Sequence, residues 1–334
     1  MEYRRLGNSG LQVSPLCLGT MMFGDRTDAA TAQHIVDAAF DAGINFIDTA
    51  DVYAKGASES ILGPAIAANR RHWILATKVG NVMTAAPLDG GLSRRWIMQA
   101  CDDSLKRLAT DYIDIYYLHK DDNDTPLDET IGAIGDLIRS GKIRYFGISN
   151  YRGWRIAEVV GVCADLGVPQ PVVCQPYYNA MNRMPEVEVL PVCDYHGIGV
   201  VPYSPLARGI LTGKYSPGAA PPADSRVARK DRRMMETEFR EESIAMAQTI
   251  KAHAAKKGLT PTQFALAWVL RNQLISSVIG GPRTLEHWND YLSAIGKDID
   301  DDDEALIDSL VRPGHPSTPG YSDPQYPFYG RIVE

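Results

Sequence analysis

Eight short apolar runs, separated for the most part by helical stretches, constrain this chain more than any other feature. They fall at residues 16–19, 45–48, 73–77, 113–118, 145–148, 172–175, 198–202 and 277–279. Most are nearly continuous in apolar side chains rather than alternating, which is the pattern of strands buried on both faces. Between them the period changes. In ATAQHIVDAAFDAG, Ile35, Val36, Ala39 and Phe40 recur at helical spacing, and Gly43 stops the run. Ile97, Cys101, Leu105 and Leu108 share one helical face, as do Ile131, Ile134 and Leu137 ahead of Gly141. The longest connection precedes the last run. It holds a polar, Pro-rich loop over about 216–238 and then helices centred on 245–255 and 261–270.

Eight strand–helix units with buried parallel strands predict an α/β fold of the (β/α)8 TIM-barrel type, with a long loop after strand 7. A doubly wound sheet is disfavoured: no G-x-G-x-x-G follows the first strand, and no P-loop sequence occurs. A single barrel domain over 1–334 suits the length, and 45% hydrophobic residues supply its core. Residues 1–15 read as an N-terminal hairpin turning on GNSG, with Gly10 supplying a positive φ. Residues 313–334 are rich in Pro, Gly and Tyr and form an irregular tail. Its aromatic residues favour docking on the body over a free end.

The net charge of −7 does not invite nucleic acid or an anionic membrane surface. No apolar run approaches the roughly 20 residues that cross a bilayer, and MEYRRLGNSG lacks a signal-peptide core. Five scattered cysteines without a C-x-x-C pair argue against a disulfide framework or a zinc site. These features together predict a cytoplasmic protein whose partner is a small molecule.

In such a barrel the active site gathers at the C-terminal ends of the strands. The second run, in INFIDTADVY, ends in Asp48, with Tyr53 close behind. The third ends in Lys78, the fourth in His119, the fifth in Ser149 and Asn150, the sixth in Gln175, and the seventh leads into PYSPLARG. Singly, each has an ordinary explanation: a turn-capping aspartate, a solvated lysine, a core histidine. Jointly they converge, because adjacent strands lie about 4.8 Å apart. A tyrosine of pKa near ~10 exchanges protons poorly at neutral pH. A neighbouring ammonium lowers that pKa, so Lys78 is expected to activate Tyr53, with Asp48 holding Lys78 charged. Tyr53 then serves as general acid or base, and His119 orients a substrate oxygen. A metal site is disfavoured, since only Asp48 and His119 qualify as ligands and Lys78 between them repels a cation.

At this point the sequence resembles the aldo-keto reductases, in the branch with bacterial sugar and aldehyde reductases and potassium-channel β-subunits. GINFIDTADVY, ILATKVG and YIDIYYLH resemble the three catalytic blocks, and YFGISNY, CQPYYN and YSPLARGILTGKY resemble later ones. The resemblance implies a catalytic tetrad of Asp48, Tyr53, Lys78 and His119, and a nicotinamide cofactor, NADP in preference to NAD. It places Ser149, Asn150 and Gln175 on the carboxamide and Tyr203 against the nicotinamide ring. Ser204, Leu206, Arg208, Gly209 and Lys214 match the pyrophosphate loop, with Arg226 further along. Thr20 and Met21 are cofactor-proximal. At the adenosine end stand Gly281, Arg283 and His287. Arg283 suits a 2′-phosphate, while Asp290 and Tyr291 depart from the usual Glu-Asn.

The implied reaction is hydride transfer to the carbonyl of an aldehyde, ketone or sugar. The alternatives are a sugar or polyol dehydrogenase running oxidatively, and a cofactor-binding regulatory subunit. Met22, Phe23, Trp154 and the tail aromatics are candidates for lining the substrate pocket.

Overall fold

A computed structural model describes residues 1–327. Phe328 and Tyr329, part of the aromatic tail, lie outside the described residues. The chain opens with two short antiparallel strands, β1 (Arg4–Arg5) and β2 (Gln12–Val13). Eight parallel strands follow: β3 (Leu16–Gly19), β4 (Phe46–Asp48), β5 (Ile74–Val79), β6 (Ile113–Leu118), β7 (Ile143–Ser149), β8 (Val173–Gln175), β9 (Gly199–Val200) and β10 (Val278–Gly280). They pair in the order β10-β3-β4-β5-β6-β7-β8-β9. The cylinder closes where Ser276 N donates to Val200 O at 2.9 Å and Ile279 N donates to Pro202 O at 3.0 Å. The fold is a (β/α)8 barrel with an N-terminal hairpin and a long loop after the seventh barrel strand.

Helices fill the connections: α1 (Ala29–Asp41), α2 (Ala57–Ile66), α3 (Arg94–Leu108), α4 (Leu127–Arg139), α5 (Gly153–Leu166) and α6 (Val189–His196). After β9 come α7 (Arg232–Thr237), α8 (Glu241–Lys256) and α9 (Pro261–Arg271), and after β10 α10 (Leu285–Leu292) and α11 (Asp301–Leu310). Their starts follow local chemistry. Asp28 caps α1 by accepting from Thr31 N, and Thr260 and Gln263 form a reciprocal capping box on α9.

Alternation along the strands makes two cores. On β5, Ile74 and Ala76 face into the cylinder while Leu75 and Val79 meet the helices. Inside, Phe46, Ile115, Tyr117, Val173 and Val201 pack with Leu6 and Val13, so the hairpin residues plug one end. Asn45 ties the plug down, accepting from Ser14 N and donating to Gln12 O, both at 2.8 Å.

Four differences from the sequence reading matter. The third barrel strand runs to Val79, so Lys78 lies within it rather than after it. The seventh contracts to Gly199–Val200 because Pro202 has no N–H for the ladder. The Pro-rich loop contains a helix, α7, nucleated by Asp231, which accepts from Met234 N at 2.8 Å. Finally, the hairpin turns on Gly7 (φ 54°), not Gly10. A Cβ on Gly7 would stand 2.4 Å from Gly199 N and 2.6 Å from Gly197 O, both backbone atoms. We therefore expect Gly7→Ala to destabilise the protein by about 2 kcal/mol or more, read from urea unfolding. Unchanged stability would contradict this account of the plug.

Candidate active site

Asp48 ends β4 and pairs with Ala76 on β5. Lys78, two residues further along β5, points to the same inner face. The register thus delivers a carboxylate and an ammonium to one spot. Lys78 Nζ donates to Asp48 Oδ1 at 2.5 Å, to Thr49 O at 2.8 Å and to Tyr53 Oη at 3.3 Å. Its three donors are all used. Gln175 Nε2, from the end of β8, donates to Asp48 Oδ2 at 3.0 Å. Lys78 is completely buried. Tyr53 occupies a tight turn in which Ala54 (φ 46°), Lys55 (φ 55°) and Gly56 (φ 91°) all have positive φ. The His119 ring meets it edge-on, with centroids 6.0 Å apart at 82°. The four residues expected to meet do meet.

The electrostatics correct one expectation. Burial pushes the Tyr53 phenol above its ordinary value, and Lys78 offsets only part of that rise. The ammonium pulls as expected, but desolvation of a would-be phenolate is the larger effect. Burial also works against the Lys78 ammonium, yet Asp48 and Tyr53 outweigh it, so Lys78 stays above its ordinary value. Asp48 is raised by burial and held back by Lys78. His119 is driven well below the usual imidazole range by burial, then by Lys78 and Lys120, so it is neutral at pH 7.

A cavity of about 620 Å³ opens from this cluster. All the residues expected on a dinucleotide line it: Thr20, Met21, Asp48, Ser149, Asn150, Gln175, Tyr203, Ser204, Leu206, Arg208, Gly209, Lys214, Arg226, Gly281, Arg283 and His287. Lys78 sits behind, screened by Tyr53. Near the tetrad the amides are already engaged. Asn150 (φ 61°) donates to His119 O at 2.9 Å and accepts from Tyr203 Oη at 2.8 Å. Ser149 Oγ donates to Gln175 O at 2.8 Å. Gln175 thus braces Asp48 as well as lining the cavity.

A second part of the wall is cationic. Lys214, Arg226, Arg229 and Arg283 line it, against Asp224 and Asp290. Arg283 Nη2 donates to Asp224 Oδ2 at 3.2 Å. Burial, then the neighbouring Arg283, lowers Lys214, and burial, then Arg283 and Lys214, lowers His287. Cations crowded enough to depress one another are relieved by a polyanion, so these residues fit a dinucleotide's phosphates. Of the substrate-side candidates, Met22 and Tyr326 line the cavity. Phe23 is packed in the core, and Trp154 is 60% exposed outside the cavity.

Asp51 was missed by the sequence reading. It is buried, and neither carboxylate oxygen makes a hydrogen bond of good geometry among the described residues. The nearby cations are committed elsewhere: Lys78 to Asp48, and Arg107 to Glu59 at 2.7 Å, which also accepts from Thr77 at 2.5 Å. Burial, then Glu59, pushes Asp51 up to about 7. A group raised on folding contributes stability that is present below its unfolded pKa and lost as pH rises through the folded one. Asp51→Asn should therefore gain on the parent by about 2–3 kcal/mol between pH 5 and pH 8. Parallel urea-stability curves for the two proteins over that range would refute this.

The profile of the family described as "Aldo/keto reductase family" matches residues 15–312. The chain is 39% identical over 289 residues to a probable voltage-gated potassium channel subunit beta of Arabidopsis thaliana, covering 84% of this chain and 87% of that one. It is 37% identical over 337 residues to an uncharacterized oxidoreductase, YrpG, of Bacillus subtilis, covering 97% and 99%. It is 33% identical over 306 residues to L-glyceraldehyde 3-phosphate reductase of Escherichia coli K12, covering 88% of each.

Proposed function

Because the chain belongs to the aldo/keto reductase family of oxidoreductases, we propose that it moves hydride between a nicotinamide dinucleotide and the carbonyl of an aldehyde, ketone or sugar. One observation carries the reading. An ammonium has no lone pair to accept with, so in the 3.3 Å contact Lys78 donates and Tyr53 Oη accepts. The phenol's own proton is thereby left free for the cavity side. Tyr53 gives that proton to the carbonyl oxygen as it gains charge, and Lys78 stabilises the phenolate that remains. Asp48 keeps Lys78 protonated, and Gln175 keeps Asp48 oriented. His119, neutral, donates a hydrogen bond to the same oxygen.

The bound cofactor would supply the hydride. Ser149, Asn150, Gln175 and Tyr203 would hold its nicotinamide, and Arg208 and Lys214 its pyrophosphate. Arg226 and Arg283 favour the extra phosphate of NADP over NAD. In the oxidative direction the same residues run in reverse, with Tyr53 as base and the cofactor poise setting the direction.

The likeness to proteins named as potassium-channel β-subunits supports a second reading, in which the chain binds the cofactor to regulate a partner. Turnover separates the two. The test is fluorescence titration with NADPH and NADH, followed by a sugar and aldehyde panel in both directions. The reductase reading expects tighter NADPH binding and turnover of at least one carbonyl. In Tyr53→Phe, kcat should fall by at least about 100-fold while NADPH affinity holds within about threefold. Parental turnover in that variant removes Tyr53 as the acid. Negligible turnover of the parent on the panel, with a co-purifying second polypeptide, favours the regulatory reading.

A further inference from the structure

The family match ends at residue 312, yet Gln325 and Tyr326 line the same cavity as Tyr53 and His119. Part of that wall therefore comes from a segment beyond the matched region, and something must hold it there. Upstream the segment is held at Ser317, whose N donates to Met181 O at 2.8 Å and whose Oγ meets Arg240 Nη2 and Ser243 Oγ, and the cavity-lining turn itself is fastened at Asp323. Asp323 Oδ1 and Oδ2 accept from Arg233 Nη1 and Nη2 at 2.9 and 2.5 Å, a two-pronged ion pair between residues 90 apart in sequence. The same Oδ1 accepts from Gln325 N at 2.9 Å, and Tyr326 N donates to Asp323 O at 3.0 Å. Asp323 thus shapes the turn that presents Gln325 and Tyr326 while fastening it to α7. Arg152 Nη2 donates to Tyr326 O at 2.8 Å, and the Arg240 guanidinium lies 4.0 Å from the Tyr321 ring centroid.

Resting on the reductase reading above, we propose that Asp323 is a positioning residue for the carbonyl substrate, acting through its ion pair with Arg233, which itself lines the cavity. Their ion pair clasps the tail to the loop after β9 and so sets Tyr326 as one wall of the substrate mouth. The geometry favours a specific clasp over an incidental surface pair. Both prongs are formed, and the side chains are only 25% and 18% exposed. Without Asp323, Arg233 retains Glu236 at 3.5 Å, on its own helix, and among the described residues no other ion pair joins the tail to α7. The same loop carries Arg226, which lines the cationic part of the cavity. One ion pair therefore joins the substrate wall to a cofactor-facing loop.

A double-mutant cycle tests this. Asp323→Asn keeps the oxygen that accepts from Gln325 N and removes only the charge, while Arg233→Met removes the other partner. For a carbonyl the parent reduces, each single variant should raise KM on the order of tenfold, with kcat within about threefold and NADPH affinity within about twofold. The double variant should be no worse than the poorer single one, because the clasp is lost once. Unchanged KM in either single variant, or a double effect equal to the product of the two, overturns the proposal. Chymotrypsin cleavage after Tyr321 gives a reading independent of turnover: it should be slow in the parent and several-fold faster in both variants. If no carbonyl is turned over, the reductase reading fails, and the cleavage rates alone decide the clasp. Equal rates would sink it.

Discussion

The buried ion pair between Lys78 and Asp48 is the constraint on which the rest of the site depends. Removing an ammonium and a carboxylate from water costs several kcal/mol for each, which attraction alone does not reliably recover. Here the remaining valences are also filled. Lys78 spends its other donors on Thr49 O and Tyr53 Oη, and Asp48 takes a second bond from Gln175. Three strands, β4, β5 and β8, thus meet at one charge pair. A slip of one residue in β5 would turn Lys78 outward and strand Asp48 inside. The barrel's register and the site's electrostatics are one requirement.

Around that pair the molecule divides its labour along the barrel. The hairpin plugs the other end of the cylinder with Leu6 and Val13, which pack against the inner core below the ion pair. The loop after β9 brings Arg208, Lys214, Arg226 and Arg229 to the cavity, opposite in sign to a chain of net charge −7. An anionic ligand is thereby drawn to one locality of an otherwise acidic protein. The tail adds Gln325 and Tyr326 to the cavity wall and is fastened at Asp323 by Arg233.

What could be read from the sequence follows physical range. Strand ends in a parallel barrel share one mouth, so Asp48, Tyr53, Lys78 and His119 could be placed together from order alone. The cavity-lining residues after β9 were legible because YSPLARGILTGKY and its companions are contiguous blocks. The direction of the Tyr53 shift was not, because it depends on how much burial outweighs one ammonium. Asp51 escaped notice for the same reason: in sequence it is one more loop aspartate, and only the fold leaves Arg107 committed to Glu59. Arg233 and Asp323 are 90 residues apart, with no pattern linking them. Phe23 and Trp154 are alike in sequence as pocket candidates, and packing sends one into the core and the other to the surface.

In the proposed mechanism the Lys78 charge, not mere proximity, commits the Tyr53 proton to the cavity. Single-turnover hydride transfer in Lys78→Met, at saturating NADPH with a carbonyl the parent reduces, addresses it most directly. The account predicts a rate at least about 100-fold below the parent's, with the dinucleotide still bound. Transfer at the parent's rate in that variant would contradict it.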